Sequence, residues 1–149
     1  MKYDLNKLEK EIQYSFKDKE LLKKALTHKT FAFEADTPIE YNERLEFLGD
    51  SILNFIVAKK LYRTNQHFSE GELTRRRALL VNNTLLAKKA KKFKIGNYLR
   101  LGKGEKLQNG KSNPKNIANA LEALIGAIYI DSNLETVQTF ILDTLLNED

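Results

Sequence analysis

Apolar positions recur along this chain at three- and four-residue intervals almost from end to end, the spacing of a helix face rather than of a strand. The segment 5–12 opens the pattern, with Asp4 where an N-cap belongs. Asp18 stands ahead of Leu21, Leu22, Ala25 and Leu26 as the cap of a second helix. A polar stretch over 32–39 holds Pro38 and predicts a loop, and a long helix follows over 41–61. Ser69 and Glu72 have the spacing of a capping box and open a helix through Leu79, Leu80 and Val81. Asn82 or Asn83 caps the next, which runs through Leu86, Ala87, Ala90 and Phe93, with Gly96 fitting its C-terminus. The stretch 101–114, rich in Gly, Lys and Asn, predicts a mobile loop, and Pro114 starts a helix. The segment 116–130 is the most apolar helix. Ser132 and Glu135 repeat the capping-box spacing before a last helix carrying Val137, Phe140, Ile141 and Leu145. No internal repeat, heptad run, sustained strand alternation or Pro/Gly-rich linker interrupts the chain. The pattern predicts one all-α domain over 1–149.

The informative positions are those that break the pattern. Glu43, Glu46 and Asp50 stand at i, i+3 and i+7, so a helix presents all three from one face. Ile52, Leu53, Phe55, Ile56, Val57 and Ala58 follow directly, which reads as a helix largely surrounded by protein. In the apolar segment 116–130, Glu122 sits in the middle, with Asn119 one turn earlier on the same face. A hidden carboxylate is costly unless paired with a cation or a metal. Two readings are open for Glu122. One is a salt bridge to an arginine such as Arg44 or Arg76. The other is an oxygen-rich site shared with Glu46 and Asp50, whose donors suit Mg²⁺ or Mn²⁺.

Composition narrows the chemistry. The absence of Cys excludes a thiolate metal site, a Cys nucleophile and a disulfide framework. His28 and His67 are far apart and lack zinc spacing, which assigns them structural roles. Gly102-Lys103-Gly104-Glu105 lacks Walker spacing, so no nucleotide cofactor is expected. The N-terminus has no signal-peptide core and no apolar run reaches membrane-spanning length, so a cytoplasmic protein without membrane attachment is expected. The formal net charge is +5, with basic residues concentrated at Arg75-Arg76-Arg77 and at Lys88, Lys89, Lys91, Lys92 and Lys94. Such clusters are either solvated helix faces or a surface for a polyanion. Joined to a Mg²⁺-type carboxylate site, the second reading points to phosphodiester chemistry.

The stretch Asn42-Glu43-Arg44-Leu45-Glu46-Phe47-Leu48-Gly49-Asp50-Ser51 resembles the signature motif of the ribonuclease III catalytic domain. Further matches follow the family's order: Leu26-Thr27-His28-Lys29-Thr30, Glu70-Gly71 with Leu73-Thr74, Leu101-Gly102-Lys103-Gly104-Glu105, and Ala118-Asn119-Ala120-Leu121-Glu122-Ala123-Leu124-Ile125-Gly126-Ala127. The resemblance covers essentially the whole chain. It implies a helical endonuclease domain acting as a two-fold homodimer on double-stranded RNA. Such enzymes use Mg²⁺, with Mn²⁺ as substitute, and leave 5′-phosphates and short 3′ overhangs in rRNA and mRNA processing. It places Glu46, Asp50, Asn119 and Glu122 at catalytic, metal-binding positions, and Glu43 and Glu70 at acidic positions of the cleft or interface. Phe47 and Leu48 fall at the dimer interface.

Two departures stand out. The family usually has Asp where this chain has Asn119, which removes one negative charge and should weaken metal binding. A catalytically impaired duplex-RNA-binding or ribosome-associated protein on the same fold is the alternative that Asn119 raises. A third reading, a helical protein-interaction module, requires the acidic cluster to be a set of salt bridges. The second departure is length: no double-stranded RNA-binding domain is expected within 1–149.

Overall fold

The computed structural model describes residues 4–147. Its α-helices are α1 (Leu5–Ile12), α2 (Lys19–Ala25), α3 (Lys29–Glu34), α4 (Glu43–Thr64), α5 (Glu70–Val81), α6 (Asn83–Lys91), α7 (Lys103–Leu107), α8 (Pro114–Asp131) and α9 (Leu134–Thr144). Short 3₁₀ turns occupy Ile95–Tyr98 and Gly110–Ser112. The all-α expectation holds: among the described residues strand-like pairing is confined to one bridge between Thr27 and Arg100.

Side-chain caps decide where most helices begin. Asp4 accepts from the Asn6 N–H, Asp18 from Glu20 and Asn82 from Leu85. Pro114 opens α8, and Asn113 Oδ1 accepts from the Lys115 and Asn116 N–H groups at 2.9 and 3.4 Å. Five expectations are corrected. The predicted loop from 32 begins later, because His28 caps α3 by accepting from the Thr30 N–H at 3.2 Å, and that helix runs to Glu34. The box at Ser69 forms only by half: Ser69 accepts from the Glu72 N–H, but the Glu72 carboxylate turns to Arg75 and Arg76. Asn133, not Ser132, caps α9, since the Ser132 hydroxyl is committed to the Ile128 carbonyl at 2.5 Å. Gly96 does not end a helix. Lys94, at φ 55°, turns the chain after α6, and Gly96 lies where a Cβ would come 2.0 Å from the Lys111 carbonyl oxygen. The stretch 101–114 is folded rather than a mobile loop. It holds α7 and a 3₁₀ turn, anchored by Thr30 Oγ1 accepting from the Gly102 N–H and by Glu34 accepting from the Lys103 N–H.

Helix α8 runs through the middle of the core and packs most heavily on α4 and α6. Leu121, Leu124, Ile125 and Ile128 are fully buried, and each contributes roughly 2 kcal/mol by leaving water. Helix α4 buries Leu45, Gly49, Ile52, Leu53, Ile56, Val57 and Leu61. Its other side exposes Phe47 (77%), Phe55 (51%) and Tyr62 (74%), so the expected enclosure by protein holds for one face only.

Candidate functional site

The closest approach of α4 and α8 is made by two glycines. A Cβ on Gly49 would lie 1.7 Å from the Glu122 carbonyl oxygen, and one on Gly126 would lie 2.4 Å from that of Leu45. Only helices lacking side chains at both points pack so closely. This contact brings an acid from each helix together. Asp50 and Glu122 sit within hydrogen-bonding reach, and the charge of Glu46, one turn before Asp50, also acts on Glu122. Glu122 is 6% exposed. Burial pushes its carboxyl up to about 8, helped by the hydrogen bond and charge of Asp50 and then by Glu46. Glu46 is raised as well, by burial first and then by Glu43 and Asp50, against an opposing pull from Lys115. At neutral pH Glu122 therefore holds its proton.

The salt-bridge reading of Glu122 drops out. Among the described residues no ion pair joins it to Arg44 or Arg76. Arg76 instead donates to Glu72 at 3.0 Å and lies over the Phe68 ring.

The other acids are placed apart from this pair. Glu43 is half-exposed with its carboxylate 3.8 Å from the Lys29 ammonium. Glu70 is exposed and accepts from the Thr74 hydroxyl at 2.9 Å. Asn119 is half-buried one turn before Glu122. Among the described residues no group of three or more His, Cys, Asp or Glu side chains is placed to hold a metal ion. The donor set nevertheless suits a hard divalent cation: a nine-tenths buried carboxyl without a cationic partner, two further carboxylates and an amide oxygen.

His28 has the structural role expected of it, as the α3 cap with Nδ1 2.8 Å from Thr30 Oγ1, and His67 is exposed. The basic clusters divide. Arg75 and Arg76 are tied to Glu72, which they hold down at about 2. Lys88, Lys91, Lys92 and Lys94 are exposed, and Lys89 reaches the Asn147 carbonyl. Sequence reasoning quoted Gly49 and Gly126 within the motifs but gave them no role. A glycine inside a helix costs stability and so marks a place where something approaches closely.

No helix among the described residues is long and apolar enough to cross a membrane. A ribonuclease-III-like family model matches residues 18–149. The chain is 45% identical over 139 residues to ribonuclease 3 of Caldanaerobacter subterraneus subsp. tengcongensis, which covers 93% of this chain and 61% of that protein. It is 47% identical over 148 residues to the Pseudomonas fluorescens ribonuclease 3, covering 99% and 62%. The chain thus spans about three fifths of the length of these relatives. In three dimensions it matches the nuclease domain of ribonuclease III from Campylobacter jejuni with a TM-score of 0.89 at 39% identity, covering 95% of this chain and 96% of that one. With signature motif, helical architecture and extended sequence identity in agreement, the chain belongs to the ribonuclease-III-like family.

Proposed function

We propose that residues 1–149 form a divalent-metal-dependent endonuclease domain that hydrolyses double-stranded RNA, leaving 5′-phosphates and short 3′ overhangs. The observation that carries this reading is the pairing of buried Glu122 with Asp50, two acids brought together with no cation of the protein between them. Glu46, Asp50, Glu122 and the Asn119 amide would hold Mg²⁺, or Mn²⁺ in its place. Bound there, the ion would supply a nucleophile from water at neutral pH and would neutralise charge on the phosphate. The residues of the chain prepare that event. Glu122 is buried on α8, while Asp50 is exposed to solvent on α4. Glu122, raised to about 8, would have to give up its proton to hold a cation, so metal binding should strengthen as pH rises towards about 8.

The positive excess of the chain favours a polyanion, and binding through phosphates makes affinity fall steeply with salt. Phe47 and Leu48, with Phe55 and Tyr62 further along α4, form an apolar ridge suited to a second copy of the chain across a two-fold axis. The similar Campylobacter jejuni domain is described by a region involved in dimer formation, which supports this assignment. The setting proposed is rRNA and mRNA processing in the cytoplasm.

The test is incubation of a long duplex RNA with the protein and with Asn119→Asp, at low salt with Mg²⁺. Cutting by either protein supports the proposal. Failure of both, while both are folded, refutes it. Retarded RNA that stays intact with both proteins assigns the fold a binding role, the reading that Asn119 favours.

A further inference from the structure

The C-terminal end of α4 carries basic residues that no acid answers. Lys59, Lys60 and Arg63 stand there, and residues 51–69 hold no Asp or Glu. Elsewhere helix cations have local partners: Lys23 lies 3.3 Å from Glu20, and Arg75 and Arg76 share Glu72. Among the described residues Lys59, Lys60 and Arg63 form no ion pair. Arg63, in the last turn, suits the helix dipole, whereas Lys59 and Lys60 stand before that turn.

Ile56, Lys59, Lys60 and Arg63 follow i, i+3, i+4 and i+7 spacing and so share one face of α4. Against it α9 sets Gln138 and Leu142, and the two helices line a groove of about 280 Å³. Ile56 and Leu142 supply its apolar surface. Lys59 donates to Gln138 Oε1 at 2.8 Å, so its charge is held at the groove by a neutral partner. The acids of α9 are turned elsewhere: Glu135 and Asp143 line a separate depression with Gln13 and Tyr14. The groove is distinct from the regions assigned above. Arg63 lies about 20 Å along α4 from Asp50. Phe55 and Tyr62 each precede a groove residue and so stand about 100° round the helix from it.

We propose that the α4–α9 groove docks an acidic peptide segment of a partner protein, one that presents an apolar side chain between carboxylates. Its three cations, with no acid among the lining residues, supply the charge complementarity. An apolar centre with a charged rim is the anatomy of a protein-recognition surface. Duplex RNA would meet the cations with phosphates but bring nothing to the apolar surface between them.

The test is fluorescence anisotropy in metal-free buffer with a short labelled peptide that repeats Glu-Leu-Leu-Glu. Its companions are the same peptide with Gln in place of Glu, and a short RNA duplex. Each is titrated with the protein, with Lys60→Glu/Arg63→Glu in the groove, and with Lys88→Glu/Lys91→Glu on exposed α6. The Glu peptide should bind the protein, roughly tenfold or more weakly after reversal in the groove, and less than about twofold more weakly after reversal on α6. The Gln peptide should bind about tenfold more weakly than the Glu peptide. Lys60→Gln/Arg63→Gln, which removes the charges without reversing them, should fall between parent and reversal, and it carries the test if the reversal fails to fold. Absence of binding by the Glu peptide, equal binding by the Gln peptide, or equal losses in the groove and α6 variants overturns the proposal. So does a loss of duplex affinity larger in the groove variant than in the α6 variant, which assigns the face to nucleic acid. A changed sedimentation coefficient in the groove variant overturns it too, and assigns the face to a second copy of the chain.

Discussion

Two glutamates in this molecule are almost equally hidden, and their surroundings are opposite. Glu9 on α1 is 5% exposed and Glu122 on α8 is 6% exposed. Glu9 accepts from the Phe16 N–H at 2.5 Å and from the Lys19 ammonium at 2.7 and 2.9 Å, so its burial is compensated within the fold. Glu122 faces Asp50 and Glu46 and has no cation of its own. The first arrangement closes a helix connection and asks nothing of the solvent. The second stores repulsion at a helix contact built to hold it, which is how a site differs from a structural salt bridge.

The contrast can be broken at several points. The largest effect is expected at the contact itself. Gly49→Ala places a methyl group within bonding distance of the Glu122 backbone, forces α4 and α8 apart, and should cost about 3 kcal/mol or more. Urea unfolding measures it, and a loss below about 1 kcal/mol would mean that the helices have slack. Next comes Glu9→Ala, which strands the Phe16 N–H and should cost about 2 kcal/mol, whatever the metal concentration. Glu122→Gln should behave in the opposite way. In metal-free buffer above neutral pH it removes a carboxyl that burial opposes, and should stabilise the fold by about 1 kcal/mol. Calorimetry of both variants sharpens the comparison, and equal destabilisation of the two would erase it.

The pH dependence follows from the same pair. Glu122 is raised from 4.5 to about 8, so below about 4.5 folded and unfolded chains both hold the proton. Between these values only the folded chain does, folding takes up a proton, and stability falls as pH rises, by at most about 1.4 kcal/mol per unit. Metal-free melting curves should therefore lose several degrees between pH 5 and 8 (on the order of the shifts expected for a domain this size), and Glu122→Gln should flatten the profile. A profile identical in the two proteins would assign the pH response elsewhere.

The helix faces and most of their starts were legible in the sequence because they depend on neighbours: Asp4, Asp18, Asn82 and Pro114 act within one turn of where they stand. The fold of 101–114 was not, because Thr30 and Glu34 order it from 72 and 69 residues away. At the site, the acids could be read from their improbability on apolar helices, and the long signature motif pointed to the family. The sequence left open whether Glu122 joins Glu46 and Asp50 or an arginine, and it did not show that Glu43 stands apart. Glu43 shares the face of Glu46 and Asp50, yet it turns to Lys29. Asp50 reaches Glu122 because Gly49 and Gly126 let two backbones touch, and a periodic pattern of apolar residues does not report a missing side chain as a contact.

The most direct test of the central claim is the melting temperature of the protein and of Glu122→Gln, measured with and without millimolar Mg²⁺ at pH 8. A cation binding the folded state alone should raise the transition of the parent protein in proportion to the logarithm of its concentration, with little response from Glu122→Gln. Equal responses from the two proteins, or none from the parent and none from Asn119→Asp, would contradict the assignment of the Asp50–Glu122 pair as a cation site.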